Sequence, residues 1–211
     1  MALVGIVPAG GSGERLGADR PKAFVVCAGR PLIEWSLEVL ESVCDRVVVA
    51  APDGYDDGPD RVRGAESRSA SVRNAVESVD EADVFVVHDA ARPLVTKELV
   101  QRCIDAIEPG IDGAIAAIPM TDTVKEVAAD GRVLRTLDRS TLWAVQTPQV
   151  FRADILRRAL ERDAAALAAA TDDAWLVDDA GGVITVVESY PENLKVTRES
   201  DLRIAEALLA H

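Results

Sequence analysis

The hydrophobic positions of the chain fall into short runs of Val, Ala, Ile and Leu, separated by amphipathic stretches of helical period. The runs predict four buried strands, "ALVGIVPA", "RVVVAAP", "DVFVVHDAARP" and "DGAIAAIPM". Residues 31–43 place Leu32, Trp35 and Leu40 on one helical stripe, and Thr96 is suited to cap the helix after the third strand. This alternation predicts parallel strands joined by right-handed crossovers, with ligands outside the carboxyl ends of the strands.

The alternation changes near residue 121, where a different element is predicted. Residues 121–143 contain two short strand patterns about a turn at Asp130 and Gly131, which predicts a β-hairpin arm. No helix is positioned to cover this arm, so we expect it to lie on its own subunit or to reach onto a partner. Residues 53–64 are predicted to be a polar loop. Helical patterns return in "RADILRRALERDAAALAAA" and "DDAWLVDDAG", "GVITVVES" predicts a late strand, and Thr197 is expected to cap the last helix.

Length, composition and charge narrow the class of protein. The chain has 211 residues, of which 48% are hydrophobic and 28% charged, and this fits a single α/β domain over residues 1–211. The formal net charge of -13 produces a field that repels nucleic acid and anionic membranes, so neither is an expected partner. Any anion-binding site must therefore be built from a local cluster of cations.

The cysteines and the two histidines give little sign of metal or redox chemistry. Cys27, Cys44 and Cys103 are widely spaced without a CxxC pair, so we expect buried thiols in a reducing compartment. His88 is expected to be hydrogen-bonded locally at a strand end. The start of the chain lacks a signal-peptide pattern, and no apolar run approaches the roughly 20 residues of a membrane span, so a cytoplasmic location is expected.

The stretch "VPAGGSGERLGADRPKAF" follows the first strand and is typical of a phosphate-binding loop. The dinucleotide fingerprint requires G-x-G-x-x-G, but after Gly11 and Gly13 the next glycine is Gly17, one residue too late, with Leu16 in its place. The P-loop requires a Gly-Lys pair, which this stretch lacks. Neither of these two common nucleotide-binding motifs is therefore present.

What the loop does contain suits a polyphosphate. Gly10, Gly11 and Gly13 permit backbone amides to approach phosphate oxygens closely. Arg15 can bind two oxygens at once, and Lys22 supplies a mobile point charge. A glycine-rich turn with solvated cations is the alternative interpretation of the loop taken alone.

Several motifs in order along the chain carry a family resemblance. "PAGGSGERLGADRPKAF" resembles the nucleotide-binding loop of the cytidylyltransferases that act on 2-C-methyl-D-erythritol 4-phosphate in the non-mevalonate isoprenoid pathway. The matching loop residues are Pro8, Ala9, Gly10, Gly11, Gly13, Arg15 and Lys22. Further matches are "VHDAARPLV", "DTVK", "LDRSTLWAVQTPQVF", "ATDDA" and "NLKVTRESDL", which together span nearly the whole chain.

The resemblance implies a fold, a reaction and partners. The implied fold is a Rossmann-like, mostly parallel sheet flanked by helices, with a protruding β-hairpin arm that makes a homodimer. The implied reaction transfers CMP from CTP to methylerythritol phosphate, releasing pyrophosphate by in-line attack of the acceptor phosphate on the α-phosphorus. The implied cofactor is Mg²⁺, expected to be carried mainly on the CTP phosphates, and no protein ligand for it is named.

The resemblance also assigns roles to individual residues. Arg15 and Lys22 would stabilise charge on the triphosphate, Lys195 would orient the attacking phosphate, and Arg139 would do so from the partner's arm. The second CTP-binding stretch is "GAESRSAS", in which Ala65 replaces a family glycine. The residues implied there are Ala65, Glu66, Arg68 and Ser71, with Ser71 also expected to cap or open the next helix. The residues implied to bind the acceptor are Asp89, Arg92, Thr123, Thr147 and Thr171.

Three other functions stay open on the sequence alone. A cytidylyltransferase for another polyol phosphate, such as ribitol 5-phosphate, would share the loop and Lys22. A nicotinamide-dependent oxidoreductase is disfavoured by the displaced third glycine. A catalytically silent nucleotide-binding protein is disfavoured by the joint presence of Arg15, Lys22, Arg139 and Lys195.

Overall fold

A computed structural model describes residues 1–210 as a twisted sheet with helices on both faces. The strands are β1 Leu3–Pro8, β2 Val26–Cys27, β3 Arg30–Pro31, β4 Arg46–Ala51, β5 Arg61–Arg63, β6 Val84–Val87, β7 Gly113–Pro119, β8 Lys125–Val127, β9 Val133–Thr136, β10 Trp143–Arg152 and β11 Ile184–Glu188. The helices are α1 Leu32–Glu41, α2 Arg68–Glu77, α3 Lys97–Asp105, α4 Ala153–Leu160, α5 Ala164–Ala169, α6 Asp173–Asp179 and α7 Glu199–Leu209.

Seven strands form the central sheet in the order β11-β7-β10-β6-β1-β4-β5. All neighbours pair in parallel except β10, which runs antiparallel to both β6 and β7. The predicted mostly parallel sheet is therefore confirmed, and the four predicted strands are β1, β4, β6 and β7. The sequence interpretation missed β10 in the middle of the sheet and β5 at its edge, the latter within the segment predicted to be a loop.

Two hydrophobic layers cover the sheet because alternate strand residues face opposite sides. On β1, Ile6 packs toward the layer formed with α2, α4 and α6, whereas Val7 packs toward the layer formed with α1 and α3. Phe85 and Phe151 are fully buried in the first of these layers. Each such buried side chain contributes roughly 1.5–3 kcal/mol, so the two layers hold the strand ends in fixed positions.

The predicted arm is present as a two-stranded hairpin of β8 and β9. Gly131 adopts a left-handed conformation at its turn, with φ of 86°. The hairpin carries exposed apolar side chains, including Val127 at 50% and Val133 at 59% exposure. The hairpin therefore presents apolar surface that the other described residues of this chain leave in solvent.

One predicted helix cap is confirmed and another is wrong. Thr96 caps α3, its hydroxyl accepting from the backbone N–H of Leu99. The last helix is capped at Arg198 rather than Thr197, because the Asp201 carboxylate accepts from both backbone N–H groups. The helical run after β10 divides into α4 and α5, and the Asp163 side chain caps α5 by accepting from the backbone N–H of Ala166.

Other sequence expectations concern the thiols and membrane association. Cys27, Cys44 and Cys103 are free and buried, as expected. Burial raises the pKa of Cys44 and of Cys103 to about 12, so both thiols stay protonated at neutral pH. Within residues 1–210, every helix is too short or too polar to cross a lipid bilayer.

Candidate active site

A cavity of about 310 Å³ lies at the carboxyl ends of β1, β5 and β6. This is the edge at which a sheet of this kind is expected to bind ligands. The glycine-rich loop contributes Pro8, Ala9, Gly10, Gly11, Arg15 and Lys22 to its wall. The segment after β5 and the start of α2 contribute Ala65, Glu66, Arg68 and Ser71, and Asp89 and Lys195 complete the predicted set.

The local conformation of the loop brings its two cations to the cavity. Gly13 has φ of 82°, a left-handed backbone conformation that residues other than glycine rarely adopt. The backbone N–H of Lys22 donates to the carbonyl of Gly11 at 2.9 Å, which folds the chain back over the loop. Gly13 itself does not line the cavity but shapes the turn between Gly11 and Arg15.

Positive charge is concentrated around the cavity in an otherwise acidic protein. Burial, together with the nearby Lys195 ammonium, lowers the pKa of Lys22 to about 8, and Asp89 opposes part of this shift. Arg15 adds a further small lowering of that pKa. Cations that lower the pKa of a neighbouring lysine repel one another, and a bound anion would relieve this repulsion.

Asp89 is the carboxylate that balances these cations. It follows β6 and is buried, with Oδ1 accepting from Arg68 Nε at 2.9 Å and Oδ2 lying 2.7 Å from Lys195 Nζ. Burial alone would raise the pKa of Asp89, but Arg68, Lys195 and Arg92 outweigh it and hold the pKa well below its usual range. Asp89 is therefore ionised at neutral pH and shared between two cations.

A directional hydrogen-bond chain fixes the turn that carries Asp89. His88 Nε2 lies 3.2 Å from the carbonyl of Arg92, so this nitrogen carries the proton, and burial lowers the pKa of His88 to about 4. The neutral ring leaves Nδ1 to accept from the Thr147 hydroxyl at 3.0 Å. The Thr147 oxygen in turn accepts from the backbone N–H of Asp89 at 3.0 Å. The expected local hydrogen bonding of His88 is confirmed.

Thr147 and Arg92 therefore stand behind the cavity rather than in its wall. Thr147 is buried on β10, and both of its hydroxyl contacts are to the turn after β6. Arg92 is also buried, and its Nη1 donates to the carbonyl of Asn193 at 2.7 Å. That bond joins the turn that carries Asp89 to the segment that carries Lys195.

Ser71 fastens the second stretch predicted to bind nucleotide. It lies inside α2 and not at its start, because Ser67 caps the helix by accepting from the backbone N–H of Ala70. The Ser71 hydroxyl accepts from the backbone N–H of Ala65 at 2.9 Å and donates to the carbonyl of Ser67 at 2.9 Å. The expectation that Ser71 caps or opens the helix is therefore wrong, and its contacts hold the loop before α2.

Besides Gly13, Arg92 and Thr147, three further predicted residues lie away from the cavity wall. Thr123 and Arg139 are exposed on the arm, where the Arg139 guanidinium donates to the carbonyl of Thr121. Thr171 is exposed just before α6. Sequence reasoning conversely missed four wall residues, Ala23, Ser67, Ala90 and Ala91. The first two are small residues inside motifs already singled out, and Ala90 and Ala91 follow Asp89 directly.

Sequence reasoning also missed the carboxylate that stands behind Arg68. Asp173, the first residue of α6, is completely buried, and its Oδ2 accepts from Arg68 Nη1 at 2.5 Å. The sequence signal for it was the acidic pair Asp172 and Asp173, which directly follows Thr171. Sequence reasoning assigned a role to the threonine and none to the pair. Within residues 1–210, no three His, Cys, Asp or Glu side chains are arranged to hold a metal ion.

Comparisons with known proteins agree on one family. The family model described as IspD, 2-C-methyl-D-erythritol 4-phosphate cytidylyltransferase, matches residues 3–211. The enzyme of that name from Frankia casuarinae is 44% identical over 99% of this chain and 81% of its own length. The one from Rubrobacter xylanophilus is 42% identical over 98% of this chain and 94% of its own length.

A solved structure extends the likeness to the fold. The crystal structure of 2-C-methyl-D-erythritol 4-phosphate cytidylyltransferase from Thermus thermophilus superposes with a TM-score of 0.84 at 32% identity. The superposition covers 100% of both chains, which confirms the Rossmann-like fold expected from the sequence. The protein therefore belongs to the family of 2-C-methyl-D-erythritol 4-phosphate cytidylyltransferases, and it is a nucleotidyltransferase.

Proposed function

We propose that this enzyme transfers CMP from CTP to 2-C-methyl-D-erythritol 4-phosphate, giving 4-diphosphocytidyl-2-C-methyl-D-erythritol and pyrophosphate. The observation that carries the proposal is the convergence of Arg15, Lys22 and Lys195 on one cavity beside the glycine-rich loop. Arg15 and Lys22 lie on one loop near the start of the chain, whereas Lys195 comes from a segment close to its other end. A fold that gathers their charges in an acidic protein is suited to bringing two phosphate compounds together.

The chemistry requires an anionic phosphate to attack an anionic triphosphate. The acceptor oxygen forms a bond to the α-phosphorus of CTP while the bond from that phosphorus to the pyrophosphate oxygen breaks, and pyrophosphate leaves with the electron pair. Arg15 and Lys22 stabilise the charge on the triphosphate oxygens as this occurs, and each such contact is worth about 3 kcal/mol of barrier. Lys195 holds the attacking phosphate in line.

The two walls of the cavity bind different parts of CTP. The loop amides near Gly10 and Gly11 face the triphosphate, and Ala65, Glu66 and Arg68 face the nucleoside, with Ser71 holding their loop in place. The Asp89 carboxylate accepts hydrogen bonds from the hydroxyl groups of methylerythritol phosphate. Mg²⁺ would be held by the triphosphate oxygens and water, which suits a cavity whose buried carboxylate is already engaged by two cations, and it would neutralise part of the phosphate charge.

We propose further that two copies of the chain share each site. Arg139 lies on an arm whose apolar side chains are exposed, and a partner subunit would cover them. From the partner's arm, Arg139 would reach the acceptor phosphate, and Thr123 would lie beside it. Thr147 and Arg92 support the acceptor region from behind, and Thr171 lines its approach. The free thiols fit work in the cytoplasm.

Pyrophosphate release tests the proposal directly. The purified protein with CTP, Mg²⁺ and methylerythritol phosphate should release one pyrophosphate for each acceptor consumed, and omission of any one should abolish release. Ribitol 5-phosphate in place of the acceptor should give turnover at least 100-fold lower. Higher turnover with ribitol 5-phosphate would instead assign the enzyme to that acceptor.

A further inference from the structure

The buried carboxylate of Asp173 has no role in the chemistry just described. It lies at the first position of α6, is fully buried and does not line the cavity. Its Oδ2 accepts from Arg68 Nη1 at 2.5 Å, while its Oδ1 has no hydrogen-bond partner among residues 1–210. A carboxylate taken out of water in this way costs several kcal/mol, which its contacts must offset.

Helix stabilisation does not account for this side chain. An acidic residue at a helix start is favourable near the N-terminal dipole. That function is already performed by Asp172, which accepts from the backbone N–H of Trp175 at 2.8 Å and also binds Gln149 on β10. Asp173 accepts no bond from its own helix and instead faces Arg68 across the packed layer.

The contact with Asp173 completes a chain of charges that ends in the cavity. Arg68 uses Nη1 for Asp173 and Nε for Asp89, so two carboxylates on different elements grip two edges of one guanidinium. Two such contacts fix the plane of the group, whereas one would let it pivot. The other oxygen of Asp89 then faces Lys195 Nζ at 2.7 Å. The order is Asp173, Arg68, Asp89, Lys195.

Asp89 depends on the orientation of Arg68 because it is shared. If Arg68 turned away, Asp89 would keep Lys195 as its close ionic partner and its carboxylate would rotate toward that ammonium. If Arg68 lost its contact with Asp173, the guanidinium would interact with Asp89 alone and would draw the Asp89 carboxylate away from Lys195. Either movement changes the group that faces the acceptor.

We propose that Asp173 is a positioning residue that acts through Arg68 to hold Asp89 in line with Lys195. The proposal rests on the proposed function, since Asp89 and Lys195 are assigned there to the acceptor. It assigns α6 a part in the site although none of its residues lines the cavity.

Removal of the charge at Asp173 tests the proposal. Asp173→Asn keeps the shape of the side chain, and kcat/KM for methylerythritol phosphate should fall about 10-fold to 100-fold, as for loss of an orienting partner behind a functional group. The matched control is Asp178→Asn, which removes an exposed carboxylate from the same helix and should leave kcat/KM within twofold of wild type.

A double-mutant cycle separates positioning from a general structural defect. In an Asp89→Asn background, Asp173→Asn should cost less than threefold, because the group on which it acts is already altered. The same factor in both backgrounds would overturn the proposal, as would kcat/KM for Asp173→Asn equal to wild type. Melting curves establish that each variant is folded, and Asp173→Ser replaces Asp173→Asn if the latter fails to fold.

A readout without activity keeps the inference separate from the proposed function. A crystal structure of Asp173→Asn should show Arg68 more than 4 Å from Asp89, or Asp89 withdrawn from Lys195. An unchanged arrangement of these three groups would overturn the proposal even if the reaction proved different. Absence of turnover in the wild type would contradict the proposed reaction alone.

Discussion

Lys195 and Asp89 form an ion pair at the cavity wall, with Nζ 2.7 Å from Oδ2. The opposite oxygen of Asp89 is held by Arg68, so the carboxylate is fixed from both sides. The free protein thus contains its own anion at the point where Lys195 is proposed to receive a phosphate. Substrate binding must rearrange or extend this pair, which makes Asp89 the natural first target for mutation.

Asp89→Asn should affect the two substrates in opposite directions. The kcat/KM for methylerythritol phosphate should fall about 100-fold, because a charged hydrogen-bond acceptor is lost from a site proposed to bind the hydroxyl groups of that substrate. CTP should bind more tightly, by about threefold, since the cavity becomes more positive. Steady-state kinetics and calorimetric titration with CTP measure the two effects. Weaker CTP binding in this variant would show that Asp89 orients the nucleotide instead.

The pKa of Lys22 predicts how the rate depends on pH. Its folded-state pKa of about 8 lies below the ordinary value of 10.5, so the free enzyme loses this charge as pH rises through about 8. The kcat/KM for CTP reports the free enzyme and should therefore fall about tenfold per pH unit above that point. Bound CTP favours the charged form, so kcat should stay level to higher pH.

Two variants at Lys22 test the cause of this decline. Lys22→Arg should retain measurable activity and lose the alkaline decline below pH 10, because a guanidinium stays protonated there. Lys22→Ala should lower kcat by about 100-fold with a Tm near that of the wild type. An unchanged alkaline limb in Lys22→Arg would assign the decline to another group.

Mixing of two inactive variants tests whether subunits share their sites. In a dimer formed from Lys22→Ala and Arg139→Ala chains, one shared site carries both changes and the other carries neither. Random exchange of equal amounts should restore about a quarter of wild-type activity, since about half of the dimers are mixed and each has one intact site. Titration of one variant into a fixed amount of the other measures the recovery.

No recovery after verified exchange would locate Arg139 in the site of its own chain or outside any site. The exchange is followed by mass spectrometry of differently tagged chains. Wild-type chains mixed with either variant serve as the control. The total activity of these mixtures should follow the number of intact sites, which is one in each dimer of a wild-type and a variant chain.

Gly13→Ala should damage both stability and activity. An alanine there must adopt φ of 82°, and its Cβ would lie 2.9 Å from the carbonyl oxygen of Arg20. The left-handed conformation alone costs roughly 1–2 kcal/mol, and the contact adds to it by displacing the segment that leads to Lys22. Chemical denaturation and kcat measure the two effects.

Gly17→Ala is the matched control for that contact. Gly17 also has a positive φ, 69°, but a Cβ there would meet no atom within 4 Å. Its loss of stability should be the conformational cost alone, and its kcat should stay near the wild-type value. Equal effects of the two substitutions would mean that the contact with Arg20 relaxes freely.

Much of the fold could be predicted because its parallel strands are continuous apolar runs buried on both faces. β10 could not, because Pro148 interrupts its pattern and its first three residues are exposed or half-buried. The division between α4 and α5 was hidden by strong helix formers on both sides of Asp163. Its cap acts through one carboxylate, which composition alone does not distinguish from a surface charge.

The wall of the candidate site was more predictable than its support. Arg15, Lys22 and Lys195 belong to motifs whose spacing already indicates phosphate chemistry, and the structure brings them to one cavity. Thr147 acts through a contact with His88, which is 59 residues away along the chain. Asp173 acts through a contact with Arg68, which is 105 residues away. Pairing at such separations follows from the order of strands in the sheet, which no local pattern specifies.

The ten residues of β10 have a consequence for any attempt to remove the arm. The strand starts at the exposed Trp143 and, after a break in register between Val145 and Gln149, continues through the middle of the sheet. Thr147 sits at that break, directly behind Asp89. Excision of the hairpin should therefore end before Trp143, since a cut beyond it would disturb the strand that supports Asp89 from behind the cavity.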